Sequence, residues 1–147
     1  MNARMVAKIV AAKPGTMNAW IARGYIPGLI VGTSGKRRDI DAETATRIAV
    51  FAEIVGFGVS PDQASSVIQS MEKRHLKGGW MIVPKPPAQG ERVPMIYDPS
   101  PDPGGSLQRW AGAPDPPAGW LVINVARLAA RVAAAEEEWN GSREAKA

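Results

Sequence analysis

Ten of the 13 prolines fall between Gly78 and Gly119, together with seven glycines, and this divides the chain into three stretches. Proline has no backbone N–H and breaks both helix interiors and central strands. Long regular elements are therefore confined to the residues before 78 and after 119, and the middle has room only for short strands and turns. The full length of 147 residues suits one domain or two small ones. The absence of cysteine excludes disulfides, thiolate metal sites and cysteine nucleophiles. No apolar run approaches the roughly 18 residues of a membrane span. Arg4 and Lys8 interrupt the region where a signal peptide would be apolar, so a cytoplasmic location is expected.

Residues 1–77 read as short helices. Asn2 caps a helix running to about Ala12, with Met5, Val6, Ile9 and Val10 on one face. Lys13, Pro14 and Gly15 make a turn, and Thr16 is the expected N-cap of a brief second helix, Met17 to Arg23, stopped by Gly24. Two short helices joined by such a turn describe a helix–turn–helix. The stretch from Tyr25 to Val31 reads as extended, 32–35 as a turn, and 36–40 as a returning strand, so that Lys36, Arg37 and Arg38 follow the tip of a hairpin wing. Asp41 caps a third helix, about Ala42 to Val55, ended by Gly56. Ser60, Pro61 and Gln63 start a fourth, with Ala64, Val67, Ile68 and Met71 inward and Lys73, Arg74 and His75 suited to its carboxyl end.

Beyond Gly78, Trp80–Val83 and Val93–Tyr97 are expected to pair as a hairpin, with Pro94 at an edge or bulge. Residues 98–119 read as an irregular loop. Trp120–Ile123 reads as a third strand, Asn124 caps a last helix to about Trp139, and 141–147 is a tail. The fold class expected is thus α+β, mainly α: a winged helix–turn–helix over 1–77, a Pro/Gly-rich hairpin and loop over 78–119, and a strand plus helix over 120–140. In that helix Val125, Leu128, Val132, Ala135 and Trp139 recur at spacings of 3, 4, 3 and 4, an apolar seam two heptads long. Arg127 and Arg131 lie early and Glu136, Glu137 and Glu138 late, against the helix dipole. An antiparallel mate would set Arg127 opposite Glu137, so the seam is expected to make a homodimer; the alternative is that it covers the sheet of its own chain.

Charge is distributed unevenly. The first 38 residues hold seven basic side chains and no Asp or Glu, whereas the net charge of the whole chain is only +4. An acid-free basic segment is what a polyanion-binding face requires. The order of elements here resembles the MerR-like winged-helix regulators. The resemblance is carried by Thr16-Met17-Asn18-Ala19-Trp20-Ile21-Ala22-Arg23-Gly24-Tyr25-Ile26-Pro27, by the wing residues Gly35-Lys36-Arg37-Arg38, and by the helix-pair joint Gly56-Phe57-Gly58-Val59-Ser60. It covers about residues 4–71. The chain departs from that family in having Asn18, Ala19 and Trp20 where an arginine and two aromatics are usual, and in lacking a long dimerisation helix directly after the helix pair.

The resemblance implies a sequence-specific regulator of transcription that binds double-stranded DNA, of a divergent kind related to phage or mobile elements. Two alternatives stand beside it: an excisionase-like architectural factor, and an antiactivator-type module that binds a protein partner through the C-terminal region. Basic side chains bind duplex phosphates by releasing counterions, a role open to Lys13, Arg23, Lys36, Arg37 and Arg38. Asn18 has the geometry for bidentate pairing with adenine, and Thr16 for a thymine methyl or a phosphate. Trp20 is expected in the core. No catalytic constellation, metal site or cofactor loop is recognisable: His75 stands without a carboxylate pair, and no phosphate-binding glycine pattern occurs. An enzyme is not expected.

Overall fold

A computed structural model describes residues 1–29, 40–84, 95–112 and 119–144. The order of elements is α1 (Ala3–Ile9), α2 (Pro14–Ala22), α3 (Ala42–Gly56), α4 (Pro61–Gln69), a single 3₁₀ turn (Lys73–Leu76), β1 (Trp80–Pro84), β2 (Ile96–Asp98), α5 (Gly104–Ala111), β3 (Trp120–Asn124) and α6 (Val125–Glu144). The architecture is α+β and mainly helical, with one small antiparallel sheet in the order β2-β1-β3. Among the described residues no helix is long and apolar enough to cross a membrane.

The caps explain most helix starts. Asn2 accepts from the backbone of Met5 at 2.9 Å, Asp41 from Thr44 at 2.7 Å and Ser60 from Gln63 at 3.3 Å, each satisfying an N–H the helix itself leaves open. The first turn of the chain departs from expectation. α1 stops at Ile9, because Ala11 adopts the left-handed conformation at φ 52°. Pro14 is then the first residue of α2, not part of the turn before it, since its fixed φ and missing N–H suit the first helical position. Thr16 consequently lies inside α2, and Lys13 occupies the cap position without a side-chain bond. The segment after α2 is a turn instead of a strand, with Gly28 at φ 78° and the Leu29 N–H donating to Ile26.

α3 and α4 form an antiparallel pair; α3 ends at Gly56 as expected, and the joint turns at Gly58, φ 97°. Arg47 of α3 donates to the Ile68 carbonyl at the end of α4, at 2.9 Å, and to the Met71 carbonyl just beyond it, at 2.7 Å, while Glu43 holds its other nitrogen at 3.2 Å. Lys73, Arg74 and His75 belong to the separate 3₁₀ turn and do not extend α4. There the buried His75 accepts the Glu72 N–H on Nδ1 at 3.0 Å and lies 4.6 Å, centroid to centroid, from Tyr97 of β2. Tyr97 donates its hydroxyl to Gly78 at 2.9 Å. Gly79 follows at φ 81°, where a Cβ would come within 2.6 Å of the Asp98 carbonyl, so only glycine fits between these strands.

In the sheet, Met81 pairs with Tyr97 on one side and Ile123 on the other, and Ile82 with Ile96 and Val122. Met81, Val83 and Ile123 face the main core, whereas Ile82, equally buried, lies on the other face by strand alternation. α5 closes against β2 on the Asp98 side: Ser106 donates to Asp98 at 2.5 Å, and Asp98 also accepts from the Ser100 backbone at 2.9 Å. This helix stands where an irregular loop is expected. Its start is supported by Asp102, whose carboxylate accepts the Gly104 N–H at 2.9 Å after three prolines have shaped the approach.

α6 requires the largest corrections. It runs to Glu144, past the expected end at Trp139. Asn124 caps it as expected, accepting the Arg127 N–H at 2.8 Å. Its seam is turned inward: Val125, Leu128 and Val132 are buried in the core of their own chain, with Ala135 and Trp139 packed against that core. The Trp139 indole N–H is covered and has no hydrogen-bond partner among the described residues. α3 thus occupies the face that a second copy would need, and the seam is not the dimer surface the spacing suggests. The same cluster joins residues from Met1 to Val132, so the boundary at 77 separates no independent cores.

Candidate nucleic-acid interface

α1 and α2 are separated by the four residues from Val10 to Lys13, a helix–turn–helix spacing. Inside α2, Met17 is fully buried, and Trp20 and Ile21 pack partly buried against the core. Trp20 meets Phe51 of α3 edge-on at 5.0 Å, and Tyr25 stacks on the same Phe51 ring at 6.2 Å. Ser65 of α4 donates to the Tyr25 carbonyl at 2.8 Å, tying the end of the α2 region to the helix pair. Trp20 is therefore a packing residue, as its sequence context suggests, and α2 is held by aromatic contacts on one side only.

Among the described residues nothing covers the opposite side of α2. Lys13, Thr16, Asn18 and Arg23 are all exposed. At about 100° per residue, Thr16 and Arg23 share one shoulder of the helix and Asn18 forms the other. Between them runs a strip of Gly15, Ala19 and Ala22, also exposed and without bulk. The structure brings these four expected residues onto one helix and its two caps, Lys13 at the start and Arg23 at the end. Gly24, φ 72°, turns the chain away immediately after Arg23. Lys36, Arg37 and Arg38 lie outside the described residues. Ile40 and Met1 exchange two backbone hydrogen bonds, Ile40 N–H to Met1 at 2.7 Å and the Met1 amine to Ile40 at 3.0 Å. Ile40, the residue before α3's cap Asp41, is thus fastened to the start of the chain.

A cleft of about 470 Å³ opens where β3 meets α3 and α6, and Arg127 and Arg131 stand on its wall with Glu53 and Trp80. Its signal in the sequence was the placement of two arginines in the first turns of α6, against the helix dipole, where a basic residue needs another reason to be. Arg131 also donates to the Ile9 carbonyl at the end of α1. Among the described residues no cluster of three His, Asp or Glu side chains is arranged to hold a metal ion. Compared with known proteins, the chain matches no family model and no curated sequence.

Proposed function

We propose that the chain binds double-stranded DNA in a sequence-specific manner and regulates transcription, with α2 as the recognition helix. The observation that carries this reading is the division of α2 into a side fixed by Met17 and Trp20 and a bare side bearing Thr16, Asn18 and Arg23. A recognition helix needs that division, because its base-reading side chains must be held rigidly and yet be free of the protein. The small residues Gly15, Ala19 and Ala22 let the helix backbone approach the floor of a major groove. In this reading Lys13 and Arg23 bind phosphates, Asn18 pairs with adenine, and Thr16 meets a thymine methyl or a phosphate. Arg37 and Arg38 extend the contact from the wing, into a neighbouring minor groove where narrow A·T tracts attract arginine. Dimerisation through α6 forms no part of the reading, since its apolar seam is already used.

Fluorescence anisotropy on the chain's own upstream DNA and on a scrambled duplex, at several salt concentrations, tests it. Tighter binding to the native sequence is expected, with log affinity falling by about 0.9 per phosphate contact for each unit of log salt. Arg23→Ala and Arg37→Ala should weaken both duplexes alike and reduce that slope by about 1 each, while Asn18→Ala should narrow the gap between the duplexes by about 1–3 kcal/mol. Weak and equal binding to both duplexes would refute the proposal.

A further inference from the structure

β3 lies at one edge of the sheet. The Val125 N–H donates to the Gly79 carbonyl at 3.1 Å, so facing residues alternate from there and the bonded pairs of the β1–β3 ladder fall at Met81–Ile123 and Val83–Leu121. Val122 faces Ile82 as a non-bonded pair, and its own N–H and C=O point away from β1. In the sheet order β2-β1-β3 that side is the outer edge, and among the described residues no strand pairs with it. An unpaired edge is a template for another strand.

This edge opens into the cleft of about 470 Å³, a volume in the range of ligand pockets. Trp80, Val122 and Leu128 supply apolar wall. Arg127 is exposed, and its guanidinium makes no ion pair or hydrogen bond among the described residues, while Arg131 has its anchor on Ile9 and remains exposed beside it. We infer that an extended peptide with an acidic side chain docks here, adding a strand to β3 and placing its carboxylate on Arg127. Main-chain bonds to Val122 provide affinity, and the arginine selects the acidic residue, the usual division of labour in strand addition. A nucleic-acid backbone suits the cleft less well: the apolar wall would be wasted on it, and its run of phosphates would meet Glu53 as well as the arginines, whereas a single carboxylate seats on Arg127 alone. The inference is independent of the DNA reading: each activity is expected to survive loss of the other.

The test is a phage-displayed library of random decapeptides selected on the full chain, followed by anisotropy of the enriched peptide. Enrichment of alternating apolar sequences with an Asp or Glu is expected. Arg127→Glu should weaken the winner tenfold or more. Val122→Pro should do the same, because it deletes one outward N–H and no ladder bond. N-methylation of the peptide at alternate residues supplies the same test without altering the protein: a loss of tenfold or more is expected in one register and little change in the other. Failure to enrich any peptide, or an enriched peptide indifferent to Arg127→Glu and to both methylation registers, would overturn the inference. So would a library without winners combined with weaker duplex binding by Arg127→Glu, which would assign the arginines to DNA.

Discussion

His75 shows how much one side chain can bind together. It is buried at the junction of the helical pair and the sheet, where its Nδ1 accepts the Glu72 N–H and its ring faces Tyr97. That bond fixes the neutral tautomer with the proton on Nε2, so the 3.3 Å approach of Arg74 Nε sets two N–H groups face to face and is no hydrogen bond. Burial pushes the His75 pKa below its ordinary 6.5, and the Arg74 and Arg47 guanidiniums push the same way against Glu72. The unfolded chain therefore takes up the proton first. Stability is complete above about pH 6.5 and falls as pH drops from there toward the lower folded value. Thermal melts between pH 5 and 8 should show that decline in the wild type and a shallower one in His75→Phe, which keeps a ring against Tyr97 and does not titrate. The variant should lose about 1 kcal/mol at neutral pH, the worth of one backbone bond. Equal slopes in the two proteins would remove His75 from the account.

At the scale of elements, the α3–α4 pair depends on a polar clamp as well as on its apolar faces. Arg47→Ala leaves two carbonyls at and just beyond the end of α4 without their charged donor, so a loss of about 1.5–3 kcal/mol is expected in urea unfolding. Arg47→Lys should recover only part of it, because an ammonium cannot reproduce the forked geometry. Local signals were enough for much of this: Asn2, Asp41, Ser60 and Asn124 announce their helices, and Gly24 its turn. Other elements were hidden because they rest on distant partners. α5 needs Asp98, eight residues before Ser106, and is invisible to a reading of its own glycines. At Pro14 two local rules conflict, proline as a turn residue and proline as the first residue of a helix, and the second prevailed. The exposed positions on α2 were legible as its polar residues, with Trp20 expected in the core, whereas the β3 cleft required knowing which strand lies at the edge.

Over the whole molecule, the first residues and the last helix share one core. The seam of α6 was legible as apolar, yet periodicity says only that a face is buried, never by which neighbour. Leu128→Ala should cost about 2–5 kcal/mol. Because the core is continuous, Trp fluorescence and helical circular dichroism should report a single transition shifted together, with sedimentation mass unchanged. Separate transitions would restore the division at residue 77. The shared core also orders events during synthesis. The helices of the N-terminal half leave the ribosome first, but the side chains that complete their burial arrive with Leu128 and Val132. At 5–20 residues per second the roughly 55 residues from 77 to 132 take about 3–11 seconds. For that interval α1 and α3 stand with an uncovered apolar flank, so a nascent chain stalled in its proline-rich middle presents itself to chaperones before it can present α2 to anything else.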